Sequence, residues 1–145
     1  MAYNFKQGLY TPKHPEKYCG DVNRIVYRSS WELSFNQFLD NNANVLRWAS
    51  EEIIIPYVKP TDGKIHKYYV DYLVEYRNTS GEVQVDLIEV KPQKQTRRSR
   101  SKIQKTKLVE DITYAINQAK WKAASDFAEQ RGWKFRIITE KTLFR

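Results

Sequence analysis

Residues 67–92 read KYYVDYLVEYRNTSGEVQVDLIEVKP, and the architecture is read outward from them. Lys67 to Tyr76 is rich in Tyr and Val, as strands are. Asn78-Thr79-Ser80-Gly81 has the composition of a tight turn. Val83 to Val90 alternates Val83, Val85 and Leu87 against Gln84, Asp86 and Ile88, and Pro92 stops the ladder. Two strands joined by a short polar turn predict an antiparallel hairpin. If its loop centres on Ser80, paired residue numbers sum to 160, and Asp71 stands opposite Glu89.

Directly opposed residues hold their Cβ atoms about 4.5–5.5 Å apart. Two carboxylates that close repel unless a proton or a cation lies between them. A hard divalent ion such as Mg2+, with Mn2+ as a substitute, takes oxygen ligands, and the Val90 carbonyl offers a third oxygen. Residues i and i+2 of a strand share a face, so Lys91 projects with Glu89. A cation-activated water beside an amine is what phosphodiester hydrolysis requires. A one-residue slip in register would send Asp71 to the other face.

Around the hairpin, Ser29 offers an N-cap and Glu32 follows three residues on, the pattern of a capping box. Trp31, Phe35, Phe38 and Leu39 then keep helical spacing to about Asp40. In that reading Glu32 bonds the Ser29 amide; the alternative is a role in the site. Ile53-Ile54-Ile55 predicts a buried strand reaching Val58, and Pro60, Asp62 and Gly63 a turn. Leu108, Ile112, Ala115, Ile116, Ala119, Ala123 and Phe127 predict the inner face of a long helix, with Gly132 just past its end. Trp133, Phe135 and Ile137 mark a last strand. Helix, three strands, helix, strand is the order of an α/β sandwich on a mixed sheet. Residues 1–28 predict an irregular N-terminal arm, and residues 29–145 one domain. Trp121 and Tyr114 fall off the long helix's stripe and are expected to pack against the arm, the alternative being to stack on DNA bases. Glu51, Glu52 and Glu75 read as solvated acids or charge partners, Asp86 as structural, and His66 as a surface residue.

The chain of 145 residues carries 25 Lys and Arg against 17 Asp and Glu, a net charge of +8. Seven cations and no acid lie in residues 93–107: Lys94, Arg97, Arg98, Arg100, Lys102, Lys105 and Lys107. The excess is therefore local, directly after Lys91. Such a run suits nonspecific, salt-sensitive contact with the phosphates of double-stranded DNA; its alternative is a solvated loop. No apolar run approaches the roughly 20 residues of a membrane span. A single cysteine, Cys19, rules out an internal disulfide and predicts a reducing compartment. Residues 1–10 show no apolar stretch of a signal peptide.

Asp71 followed by Glu89-Val90-Lys91 at the next strand's end resembles the motif of the PD-(D/E)XK nuclease superfamily. The resemblance implies a restriction-endonuclease-like core, a mixed sheet flanked by helices, and a Mg2+-dependent deoxyribonuclease with Asp71, Glu89 and the Val90 carbonyl on the metal. It implies a further acid on the first helix, which Glu32 fits, and a polar residue on the helix after Lys91, for which Gln118 and Lys122 are candidates. Val70 stands where the superfamily has proline. Two branches are similar. The endonuclease subunits of heteromeric transposases share Ser30-Trp31-Glu32, Glu89-Val90-Lys91-Pro92 and Ile138-Thr139-Glu140. The head completion proteins of T-even-type tailed phages are similar in length and in residues 10–18, 28–32 and 50–57, a likeness that would extend over almost the whole chain. That second likeness implies work late in phage assembly, in the host cytoplasm or in the virion, on packaged DNA ends or before tail joining, with portal or head-tail connector proteins as partners. Two alternatives stand beside it: a non-catalytic neck or portal protein of nuclease fold that binds DNA, and a transposase or junction-resolving endonuclease.

Overall fold

The computed structural model describes residues 7–143. In the arm, β1 (Gly8–Leu9) pairs antiparallel with β2 (Val26–Tyr27), and the centre is a four-stranded mixed sheet in the order β3 (Val45–Ser50), β6 (Tyr72–Arg77), β7 (Val83–Val90), β8 (Lys134–Ile138). The first three strands are antiparallel neighbours, and β8 runs parallel to β7. Helix α1 (Ser30–Asn41) covers one face, and α2 (Gln104–Gln130) connects β7 to β8 on the other. No helix among the described residues is long and apolar enough to cross a membrane.

The hairpin has the expected register: Tyr72 faces Ile88, and Arg77 faces Val83. Its turn is closed by Asn78, whose Oδ1 accepts the amides of Ser80 and Glu82, and by Gly81, which takes a φ of 81° that a side chain would resist. The strand expected over 67–76 is in fact two. β5 (Ile65–Tyr69) pairs with β4 (Ile54–Val58) in a separate ribbon, and the chain bends at Val70-Asp71 before β6 joins the main sheet. Tyr/Val composition does not mark such a break, because either segment alone reads as strand.

Three further expectations need correction. β3 was not anticipated: Leu46-Arg47 interrupts alternation in a short run, yet Val45, Trp48, Ala49 and Ser50 are buried beside β6. The ribbon is not a buried strand. Ile55 and Tyr57 are buried while Ile54 and Val58 are exposed, since only one side of a two-stranded ribbon finds a partner. On α2 the buried residues are Asn117, Trp121, Ala124 and Ala128. Ile116, Ala119, Ala123 and Phe127 pack at the margin of that contact, while Leu108 and Ile112 are 63% and 40% exposed because the helix begins well outside the sheet. Trp121 thus packs, as expected, but on the sheet and ribbon rather than on the arm. Past Gln130, Gly132 at φ 73° lets Trp133 donate its amide to Ala128, the bond that closes a left-handed helix end.

Two apolar clusters flank the sheet. On the α1 side Trp31, Phe35 and Leu39 meet Trp48, Tyr72, Val74, Ile88 and Val90, with Tyr10 and Tyr18 of the arm filling the edge around Trp48. On the α2 side Trp121, Ala124 and Ala128 meet Leu87 and the ribbon residues Ile55, Tyr57 and Tyr68.

The arm is fastened to the end of α1 by charge. Buried Asp40 accepts hydrogen bonds from the Tyr10 hydroxyl at 2.7 Å and from the amides of Lys13 and His14 at 2.6 and 3.0 Å. The Lys17 ammonium donates to the carbonyls of Leu39, Asp40 and Asn42, each at 2.9 Å. A cation there satisfies open carbonyls at the negative end of the helix dipole. Burial alone would raise the Asp40 carboxyl, but the Tyr10 hydroxyl and the two amides outweigh it and hold the group below the ordinary aspartate range.

A folded-state pKa below the unfolded value of about 3.9 gives stability that is present above that value and lost as pH falls through the folded one. Asp40→Ala is expected to cost about 3 kcal/mol in urea denaturation near neutral pH, since the freed donors stay buried. Asp40→Asn is expected to lower neutral stability and flatten the acid limb of the stability profile.

Candidate active site

The β6–β7 hairpin and the bend before it place the motif residues. Asp71 lies one residue before β6, across from Glu89 in the register of Tyr72 with Ile88. Its Oδ2 accepts the Val90 amide at 2.8 Å, and its own carbonyl accepts the amide of Glu51 at 3.0 Å. Glu51 holds a φ of 56°, which is uncommon for a residue with a side chain, and the Arg28 guanidinium grips its carboxylate at 2.9 and 3.2 Å.

Glu89 is buried at 4% exposure on the sheet face that looks toward α2. Tyr68 donates its hydroxyl to Oε2 at 2.6 Å, and Lys91 brings its ammonium within 3.6 Å of Oε1. Burial raises both carboxyls above their ordinary range; the charge of Glu89 and then of Glu32 pushes Asp71 further the same way, and Lys91 and Tyr68 only partly offset the rise at Glu89. Two acids share a site with fewer positive charges than they need. Among the described residues no three His, Cys, Asp or Glu side chains are drawn together as metal ligands. The donor set at the pair, two carboxylates, has the hard-oxygen chemistry that suits a small divalent cation.

Glu32 lies within electrostatic reach of this pair and is raised chiefly by burial. The Ser29 hydroxyl accepts the Glu32 amide at 3.2 Å, as a capping box requires, but the Glu32 carboxylate accepts the Arg28 amide at 3.3 Å rather than that of Ser29. The candidates on the long helix are turned away. Gln118 is exposed, and Lys122 pairs with Asp126 at 3.3 Å. Lys120, between them, is the residue that reaches the site. Its ammonium lies over the rings of Tyr57 and Tyr68 at 5.8 and 5.7 Å from their centroids. Burial, then repulsion from Lys91, lowers its pKa while Glu89 pulls the other way. Lys120 stands three residues after Asn117 and four before Ala124, so it shares the side of α2 that faces the ribbon, a phase the apolar stripe alone does not reveal.

The basic segment is not a free loop. Gln93–Thr96 forms a short 3-10 turn, and the Gln93 amide donates to Glu140 at 3.0 Å. The Ser99 hydroxyl donates to Glu110 at 2.7 Å, and Lys107 pairs with Asp111 at 3.3 Å. Lys94, Arg97, Arg98 and Arg100 line a groove of about 350 Å³ with Tyr114 on its wall, so Tyr114 faces this groove and not the arm. Lys102 and Lys105 stand exposed where α2 begins. Elsewhere, Asp86 is buried between Arg136 at 2.7 Å and the Tyr76 hydroxyl at 3.0 Å, the structural role expected of it. Glu75 pairs with Arg47, and His66 with Asp62 on the surface.

A hairpin that ends in opposed acids and a lysine, on a mixed sheet with a helix on each face, has the form of a restriction-endonuclease-like nuclease core. Residues 42–140 match the family described as TnsA-like endonuclease N terminal, a span that contains Asp71, Glu89 and Lys91 and begins after Glu32. The chain belongs to that family, one of the PD-(D/E)XK type. It is also 40% identical over 149 aligned residues to the head completion nuclease of Enterobacteria phage T4, covering 99% of this chain and 95% of the phage protein.

Raised carboxyls subtract stability as pH rises from the ordinary carboxylate range toward the raised one. Asp71→Asn removes one of the two charges and keeps an oxygen for the Val90 amide. It is expected to raise stability near neutral pH by about 1 kcal/mol in urea denaturation, in line with the stability commonly withheld at active sites. A loss of stability would mean that the carboxylate is net favourable where it stands.

Proposed function

We propose that the chain is a divalent-metal-dependent DNA endonuclease of phage head completion, hydrolysing phosphodiester bonds with little sequence specificity, on packaged DNA ends or before tail joining. The observation that carries this reading is the carboxylate pair Asp71–Glu89, brought together by the hairpin register with Lys91 at its side. The 40% identity to a head completion nuclease supports the biological setting. That setting is the host cytoplasm during assembly, or the virion, with portal or connector proteins as partners.

In this mechanism Asp71 and Glu89, with the Val90 carbonyl, would hold Mg2+, or Mn2+ in its place. Bound there, the cation supplies a water ionised near neutral pH and positive charge against the phosphoryl oxygens. Lys91 orients that water through its ammonium and stabilises negative charge as it develops on the phosphate. Lys120, held on two aromatic faces and partly desolvated, adds a second cation on the same side. Glu32 serves a second metal or a ligand water once its carboxylate leaves the Arg28 amide. Lys94, Arg97, Arg98, Arg100, Lys102 and Lys105 hold the DNA backbone. These are phosphate contacts and carry no base readout, so cutting follows the form of the DNA more than its sequence.

Supercoiled plasmid incubated with Mg2+ is expected to be nicked, and chelator should abolish the reaction. Asp71→Ala, Glu89→Ala and Lys91→Ala are each expected to lower the rate by at least about 100-fold, as loss of a group acting directly on the transition state does. DNA binding without nicking, unchanged by Asp71→Ala, would instead support a structural neck protein. Neutralising Arg97, Arg98 and Arg100 together is expected to weaken duplex binding at all sequences and to flatten its salt dependence by about 0.9 log units per lost phosphate contact, read by fluorescence anisotropy.

A further inference from the structure

Glu89 has the Lys91 ammonium 3.6 Å from Oε1, and Lys120, seated on the ring of the tyrosine that bonds Glu89, adds a second positive charge nearby. A carboxylate in that position is drawn to swing onto the lysines and away from Asp71. One side chain opposes that swing. Tyr68, buried on the inner face of β5, donates its hydroxyl to Oε2 at 2.6 Å, while its ring lies under the Lys120 ammonium at 5.7 Å. The hydroxyl fixes the direction of the acid, and the ring gives the lysine a resting place that is not the acid. Tyr57 contributes only to the second task, its ring centroid being 5.8 Å from the same ammonium.

We propose that Tyr68 is a positioning residue of the site, whose hydroxyl holds Glu89 in the orientation that binds the divalent cation and whose ring keeps Lys120 from pairing with Glu89. This rests on the nuclease reading above, and it assigns a second function to the ribbon, which otherwise only covers α2. Hydrogen bonds to a ligating carboxylate preset its direction and are typically worth about 10- to 100-fold in metal affinity. The two parts of Tyr68 are separable by substitution. Tyr68→Phe removes the hydroxyl and keeps the ring, Tyr68→Leu removes both, and Tyr57→Leu weakens the lysine's platform without touching the hydroxyl.

The test titrates Mn2+ calorimetrically into the full-length, DNA-free protein and measures plasmid nicking across the same Mn2+ range. Tyr68→Phe is expected to bind Mn2+ at least about 10-fold more weakly. Its half-saturating Mn2+ for nicking should move by the same factor, with the rate at saturation largely retained. Tyr57→Leu, which frees Lys120 toward Glu89 but keeps the hydroxyl, should weaken Mn2+ binding less than Tyr68→Phe does; Tyr68→Leu should weaken it most. A folded Tyr68→Phe whose Mn2+ affinity stays within about twofold of the parent, below the range such contacts produce, overturns the proposal while leaving the nuclease reading intact. A parent protein that neither binds Mn2+ nor nicks removes that reading, and the proposal with it. Should Tyr68→Phe fail to fold, the ring-carbon resonance of 13Cζ-labelled Tyr68 in the parent protein decides: a shift on adding Mg2+ supports the proposal, and no shift overturns it.

Discussion

The site depends on the pairing register of one hairpin. Because side chains alternate across a sheet with period two, sliding β6 by one residue against β7 would carry Asp71 to the α1 side and leave Glu89 alone. The turn fixes that register through the Asn78 carbonyl-type oxygen and the positive φ of Gly81. The apolar pattern agrees with it, since Tyr72, Val74, Ile88 and Val90 all belong to the cluster under α1 while Leu87 belongs to the one under α2. Turn chemistry and core packing therefore select the same arrangement, and the acids are placed as a result of it.

The same arrangement works against local stability. Asp71 and Glu89 are crowded where water is scarce, and the fold supports them with secondary contacts: the Val90 amide and the strained Glu51 on one acid, the Tyr68 hydroxyl and two lysines on the other. None of these neutralises the pair. A protein optimised only for folding would place an amide or an apolar side chain at position 71. The large aromatic cores on both sides of the sheet supply the surplus that tolerates the conflict.

Much of this could be read before the structure was known, and the reasons for success and failure are physical. The hairpin, the capped first helix, Gly132 and the last strand are set by local chemistry, namely turn residues, a hydroxyl cap, a left-handed glycine and alternation. The juxtaposition of Asp71, Glu89 and Lys91 was legible because strand geometry is periodic and the turn sets the register. The failures lie where tertiary contact overrides local pattern. The stripe Leu108–Ile112 looks like a core face, but the sheet ends before it reaches them. Lys120 is hidden from composition because only the phase of α2 against the ribbon shows that it points inward. The bend at Val70-Asp71 is invisible because two short strands in sequence look like one long one. Asp40 passes as a helix-end acid until the arm closes over it.

That closure bears on how much chain the catalytic unit requires. The part shared with TnsA-like endonucleases spans residues 42–140. Excised at those limits, it would lose the whole of α1, with Trp31, Phe35 and Leu39, and expose Trp48 and Tyr72 to solvent. The packed core is therefore larger than the matched span. Residues 7–41 are to residues 42–140 what one half of a sandwich is to the other, joined to it by chain and by packing on Trp48 and Tyr72.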